Sequence, residues 1–313
     1  MMKPLMKENK VDVLVIGAGP AGLFCANALA KAGVNVRIVD NRPEKVVAGQ
    51  ADGIQPRTLE VLQSYGLAER LLQEGAQLHT VALWGIGPGG GIVRKERAVN
   101  ITTASTRARY PFETTMHQGH IESIFIDSMT SIGFKVDRPV APSSMEVSTD
   151  EADLADPTSY PVKVVLQHLT GDNQREVVHA KFVVGTDGAH SWVRKASGIA
   201  MEGEHTDSLW GVLDIRPETD WPDIRNKGII HSATGACGVI PREHDMVRLY
   251  IQLTEEDVSM DAQGRLLKTE TTPAKLLEVA QDIFKPYTLN AAETLWSTIY
   301  KTTIILKVNS HLD

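Results

Sequence analysis

A chain of 313 residues, 42% hydrophobic and 23% charged, has the length and apolar content to bury a sizeable core, as one large or two interlocked domains. A formal net charge of −7 argues against nucleic acid or an anionic membrane as partner, and two cysteines, Cys25 and Cys237, are too few for a disulfide framework or a cysteine-rich metal site. The opening MMKPLMKENK has no apolar core for a signal peptide, and no run approaches the ~20 apolar residues of a membrane span, so a cytoplasmic protein is expected.

VDVLVI (11–16) reads as a buried strand. Residues 20–32 read as a helix, with Leu23, Ala26 and Leu29/Ala30 at helical spacing and Gly33 as its stop. VNVRIVD is a second strand, and such a βαβ opening implies a parallel sheet with helices on its faces. Gly17, Gly19 and Gly22 form G-x-G-x-x-G around Ala21, between the strand and the helix. Gly17 permits the tight turn, Gly19 lets the backbone approach a pyrophosphate, and Gly22 lets helix and strand pack closely. Asp40, at the end of the second strand, is placed to accept hydrogen bonds from a ribose. Arg42 is either a nucleotide contact or one half of an ion pair. FAD and NAD share this fingerprint, and it does not separate them.

Further along, GQADGIQPRTLEVLQSYGLAERLLQEG gives a Gly/Asp loop and then helix, with Pro56 suited to a first turn. WGIGPGGGIVRKERAVN reads as a turn inside an inserted hairpin, and 119–132 as an amphipathic helix. The acidic stretch 146–157 reads as a solvated loop. The strand-like runs VKVVLQHL and EVVHAKFVVG follow, joined by the turn TGDNQR. Beyond residue 205 the pattern becomes antiparallel β: SLWGVLDIRP, GIIHSA, CGVIP and MVRLYIQL. TPAKLLEVAQDIF reads as a helix with Thr272 as N-cap and Pro273 in its first turn. In MVRLYIQL, Val247, Leu249, Ile251 and Leu253 alternate with Arg248, Tyr250 and Gln252, so the polar face meets either solvent or a ligand. His117 and His120 lack carboxylates at matching spacing, and no metal site is expected.

GTDGAHSWVR (185–194) resembles the D-G motif of the FAD-dependent aromatic-ring hydroxylases, the single-component flavoprotein monooxygenases; Asp187, Gly188, Ser191 and Arg194 match it. The chain is most similar to the phenol 2-monooxygenase branch. GQADGIQPRTLEVL resembles that branch's substrate-proximal loop, with Gln50 toward the cofactor and Asp52 as its acid. HQGHIE resembles its flavin-contacting segment, with Gln118. IPREHDMVRLYIQL resembles the strand pair lining the phenol pocket, with Arg242, Arg248 and Tyr250.

The resemblance implies an FAD-binding domain with a parallel sheet and helices (1–84 and 108–204), interlocked with an antiparallel-sheet substrate domain (85–107 and 205–313). It implies bound FAD, NAD(P)H as reductant, O2, and hydroxylation of a phenol through a flavin hydroperoxide. Asp52 is the candidate base, with Arg242 offsetting developing charge; Tyr250 and Arg248 would hold the substrate. A homodimer is a further expectation. The family's third flavin motif, G-D-A-x-H, is absent after AETLWSTIYK, where the sequence reads TTIILKVNSHLD. Beside the monooxygenase reading, that departure raises the alternative of a truncated, catalytically incompetent remnant, and another FAD oxidoreductase on the same scaffold is a separate alternative.

Overall fold

The computed structural model describes residues 7–99, 107–171, 174–259, 267 and 271–309, with 204–207 and 302–309 described as backbone only. Asp172 and Asn173, in the expected turn TGDNQR, lie outside the described residues. In chain order the first elements are β1 (Lys7–Ile16), α1 (Pro20–Lys31), β2 (Val36–Val39), β3 (Gly53–Ile54), α2 (Pro56–Ser64), α3 (Glu69–Glu74), β4 (Ala76–Leu78), β5 (Thr80–Ile86), β6 (Ile92–Val99) and β7 (Glu113–Thr115). Then come α4 (Gln118–Ser131), β8 (Val140–Val147), α5 (Glu151–Ala155), β9 (Val162–His168), β10 (Arg175–Gly185), α6 (Trp192–Ala196) and β11 (Ala200–Thr219). The last are β12 (Lys227–His231), β13 (Ala236–Pro241), β14 (Val247–Leu253), α7 (Pro273–Phe284) and β15 (Leu289–Asn309).

Two local differences from the expected elements have simple causes. The helix after Pro56 is broken into α2 and α3 at Gly66, whose φ of 70° does not belong to a helix. The acidic stretch 146–157 contains the end of β8 and a single helical turn, α5, because the Asp150 carboxylate accepts from the Ala152 N–H and caps it. No helix among the described residues is long and apolar enough to cross a membrane.

The chain divides into two units. The first comprises the described parts of Met1–Val47, Gly119–Glu202 and Lys307–Asp313. Its five-stranded sheet has the order β2-β1-β10-β9-β8, in which β1 runs parallel to β2 and β10 while β9 and β8 are antiparallel. The parallel character read from the βαβ opening therefore covers three strands. β1 is central in that trio, which explains its continuous apolar sequence: Leu14 and Val15 have no exposed surface.

The second unit comprises the described parts of Ala48–Gln118 and Gly203–Leu306. Its large sheet has the order β15-β11-β14-β13-β12-β5-β6, antiparallel between β11, β14, β13 and β12 and parallel between β12 and β5. Gly87–Gly91 turns the hairpin from β5 to β6, as the glycine run implies, with Gly90 at a φ of 82°. A three-stranded sheet, β3-β7-β4, lies within the same unit.

The period-2 alternation gives the large sheet two different faces. Leu213, Leu249, Val239 and Ile230 point to one face and pack against Leu276, Ala280, Ile283 and Phe284 of the amphipathic α7. Gly211 is small for a packing reason: a Cβ there would meet Leu276 Cδ2 at 2.6 Å. Thr272 accepts from the Lys275 N–H and fixes where α7 begins, as its sequence implies. Trp221 and Phe284 close the core, with ring centroids 5.3 Å apart, and Trp84 meets Trp221 at 5.4 Å. Asp214, Arg248 and Tyr250 lie on the opposite face, because they alternate with the core residues along β11 and β14. Phe284→Ala should cost about 3–5 kcal/mol through lost burial and the cavity left behind. Urea denaturation followed by tryptophan emission would report it as a lower midpoint.

Candidate active site

In the first unit, backbone proximity explains the glycines. A Cβ on Gly22 would lie 1.9 Å from the Gly17 carbonyl oxygen, and a Cβ on Gly17 2.5 Å from that of Thr186, so neither position has room for a side chain. Gly17 also has a φ of 103°. At Gly19 the situation is reversed: a Cβ would meet nothing within 4 Å, so the backbone borders open space. Gly19 caps α1 without any side-chain hydrogen bond to the helix start that holds Ala21. This is the cradle a dinucleotide pyrophosphate requires, with helix N–H groups and an open approach. The glycine segment therefore fits FAD.

Asp40 is buried, and protein donors surround its carboxylate. Oδ2 accepts from the Ala18 N–H at 2.6 Å; Oδ1 accepts from Arg42 N at 2.9 Å, Arg42 Nε at 3.0 Å and Arg138 Nη1 at 3.0 Å. Burial opposes ionisation, but these donors and the cations outweigh it and hold Asp40 below the usual carboxylate range. Arg42 is thus ion-paired, with its side chain 37% exposed. Asp187 is used locally as well: its carboxylate accepts from Ser191 Oγ and from the Trp192 and Val193 N–H groups, starting α6. Gly188 beside it adopts a φ of 82°. Thr186 Oγ1 donates to the Gly17 carbonyl at 2.8 Å, which ties the D-G segment to the glycine loop. The parallel register of β1 and β10 aligns Ile16 with Gly185 and brings these two motifs together.

The second unit contains a buried charged cluster. Asp214 and Arg248 are directly opposite in the β11–β14 register, and the guanidinium grips the carboxylate through Nε at 2.6 Å and Nη2 at 2.8 Å. Arg248 Nη1 donates to the Gln50 carbonyl, and its guanidinium carbon lies 5.3 Å from the Trp296 ring centroid. Gly49 makes room for that indole: any Cβ there would sit 2.3 Å from Trp296 Cε2. Arg242 meets Glu243 through Nε at 3.2 Å and Nη2 at 3.1 Å, and its Nη1 reaches Asp214 at 3.4 Å. His244 and Asp245, with φ of 54° and 60°, form the tight turn that sets Arg242 and Glu243 at the hairpin end. The Glu243 carboxylate accepts from the His117 N–H at 3.0 Å, next to Gln118 at the start of α4.

Asp52 completes the cluster. Its Oδ2 lies 3.3 Å from Arg242 Nη1 and 3.4 Å from Arg248 Nη1, yet it accepts no hydrogen bond among the described residues. The Met116 N–H donates to the Asp52 carbonyl at 2.9 Å, beside the β3–β7 pairing, so the small sheet sets its position. Burial pushes the Asp52 carboxyl up against the pull of Arg248 and Arg242, and Asp214 and Glu243 add to the rise. Glu243 moves the other way: burial opposes its ionisation, but its bonds to Arg242 prevail. Burial raises the Tyr250 phenol, and the nearby Asp52 charge adds to that. Three carboxylates thus share two guanidiniums, and burial disfavours the charged form of Asp52.

Of the residues read from the sequence, Asp52, Arg242, Arg248, Tyr250 and the Gln50 backbone are assembled in the second unit. Gly17, Gly19, Ala21, Gly22, Asp40, Arg42, Asp187 and Gly188 lie in the first. The sequence reading did not find Asp214, Glu243, Trp296, Arg138 or Thr186. Asp214 does occupy the polar phase of SLWGVLDIRP, but only the cross-strand register shows that its partner is Arg248.

A sequence model of the family described as FAD binding domain matches residues 10–303. The chain is 39% identical over 94% of its length to the FAD-dependent monooxygenase terD of Aspergillus terreus, covering 46% of that protein. It is 35% identical to the phenol 2-monooxygenase fsqG of Aspergillus fumigatus, over 94% of this chain and 47% of the relative. It is 31% identical to a 3-hydroxybenzoate 4-monooxygenase of Comamonas testosteroni, over 94% and 45%. The chain therefore spans about half the length of these relatives. Among solved structures, p-nitrophenol 4-monooxygenase of Pseudomonas putida matches in fold with a TM-score of 0.71 at 17% identity, over 96% of this chain and 70% of that one. A complex of aklavinone-11 hydroxylase with FAD and aklavinone matches with a TM-score of 0.68 at 22% identity, over 95% and 55%.

Two outcomes follow from the cluster. Asp214→Ala leaves both guanidiniums without their shared acceptor and should destabilise the second unit by about 3–5 kcal/mol, read from urea denaturation. Asp52 has its folded pKa raised above 3.8, so the folded chain holds more protons than the unfolded one as pH rises from that value toward the folded pKa. Stability from this group is therefore lost across that window. The denaturation midpoint of Asp52→Asn should gain on the parent chain as pH rises through it, and parallel profiles would contradict the assignment.

Proposed function

The chain belongs to the family of FAD-dependent aromatic-ring hydroxylases, and from that premise we propose that it carries the flavin-binding and substrate-binding parts of a monooxygenase hydroxylating a phenol. In this reading the first unit holds the dinucleotide. The uncapped start of α1 and the open backbone at Gly19 receive the pyrophosphate, and Arg42 lies beside them. FAD, when bound and reduced by NAD(P)H, supplies the activation of O2.

The second unit orients and activates the ring. The observation that carries this reading is Asp52 Oδ2, an acceptor without a hydrogen bond among the described residues, buried between two guanidiniums. A phenol O–H can donate to it, and partial transfer of that proton makes the ring electron-rich at the carbons where hydroxylation occurs. The raised pKa of Asp52 suits a group that takes and returns a proton. Arg242 and Arg248 limit the charge that builds up when the phenol loses its proton, while Asp214 and Glu243 keep both guanidiniums in place. Tyr250, two residues from Arg248 on the same face of β14, adds a donor for the substrate oxygen.

The test begins with absorption spectra after FAD is added and free cofactor removed, for the parent chain and Asp52→Ala, followed by NAD(P)H oxidation with and without a phenol. Both proteins should retain the flavin bands. Asp52→Ala should lower phenol-dependent product formation about 10²- to 10⁴-fold, the usual weight of a general base. Equal product formation by the two would remove Asp52 from the mechanism. Flavin lost from both would refute the nucleotide assignment in the first unit.

A further inference from the structure

The face of the large sheet that carries Tyr250 also forms a cavity of about 300 Å3, whose lining includes Trp210, Ile229, His231, Gly238, Tyr250 and Tyr300. Its floor is set by register: Gly238 stands between Tyr250 on β14 and Ile229 on β12 in one lateral row. The missing side chain at Gly238 leaves a hollow beside the tyrosine ring. The volume is at the low end of the range for small-molecule sites, about 300–1,000 Å3, and suits one aromatic ring with small substituents. No lysine or arginine lines it among the described residues. Arg248, two residues from Tyr250 on the same face of β14, belongs to the charged cluster in which Asp52, Asp214 and Glu243 meet Arg242 and Arg248, a formal excess of one negative charge in a buried setting.

Resting on the phenol reading above, we propose that this cavity selects an uncharged, single-ring phenol and rejects carboxylated phenols. The relatives make the choice a real one, since they include proteins named for phenol and for 3-hydroxybenzoate. A carboxylate entering the cavity would give up its hydration without meeting a lysine or arginine, because none lines it among the described residues and the two guanidiniums of the cluster already serve carboxylates. It would also add a second negative charge beside an uncompensated one. A neutral phenol avoids both costs. Its ring packs against the aromatic and aliphatic lining, and its hydroxyl bonds toward Tyr250.

The test is calorimetric titration of the purified chain, in the presence of FAD, with 4-methylphenol, 4-hydroxybenzoate and methyl 4-hydroxybenzoate. The ester is at least as large as the acid and uncharged, so it separates charge from size. The expected result is that 4-methylphenol and the ester both bind at least tenfold more tightly than the acid. Asp52→Asn, which removes the excess charge, should narrow the gap between ester and acid to about threefold. Gly238→Val should weaken all neutral ligands at least tenfold while leaving the charged cluster untouched; its Cβ would sit 3.5 Å from that of Tyr250, an ordinary contact. Acid and ester binding equally well to the parent chain would overturn the charge selection and leave the phenol reading standing. Binding of none of the three would overturn both.

Discussion

The cross-strand grip of Arg248 on Asp214 is the interaction on which the second unit's site depends. It joins neighbouring strands by two charge-assisted bonds, and it leaves Arg248 Nη1 free to hold the Gln50 carbonyl and approach Asp52. Arg248 ties the loop carrying Asp52 to the sheet, together with Arg242, and Trp296 covers the Arg248 guanidinium. Burying so many ions costs desolvation energy that a hydrophobic substitute would avoid. A purely structural pair would not need the third carboxylate. Asp52 is that third carboxylate, buried between the two guanidiniums with its ionisation disfavoured by burial.

The same sheet performs two tasks because its strands alternate strictly. One phase, Leu213, Val239, Leu249 and Ile251, packs on α7 and is sealed by Trp221 and Phe284. The other phase carries Asp214, Arg248 and Tyr250, graded along β14 from buried Arg248 to exposed Gln252. The rigid core face holds the polar face in place and so fixes the geometry of its buried ion pairs. Glycine is used on both phases for different ends: Gly211 admits α7, and Gly238 leaves space beside Tyr250.

In the first unit the constraint is backbone crowding. Gly17, Gly22 and Thr186 approach so closely that any side chain at the two glycines would push the strand–turn–helix apart. Thr186 then fastens the distant D-G segment to the same turn through Oγ1. The Asp40 carboxylate contributes to this packing through the Ala18 N–H and the two arginines, Arg42 and Arg138, so the acid that follows β2 also organises the loop itself.

The sequence alone determined what depends on neighbours along the chain. These features are the βαβ opening with its glycines, the hairpin at Gly87–Gly91, the Thr272 cap, and the alternation that separates Tyr250 from Leu249. Each is encoded within a few residues, by steric freedom, capping chemistry or side-chain period. Tertiary structure decided the rest. It made the sheet of the first unit only partly parallel, because strand order is set by long-range pairing. It also gave Arg248 its partner in Asp214, and it supplied the turn at His244 and Asp245, which has no glycine to announce it. The exposed polar phase of a strand looks the same in sequence whether it meets water or a buried counter-ion. Only the register of β11 against β14 distinguishes the two, because hydrogen bonding between strands carries no local signature.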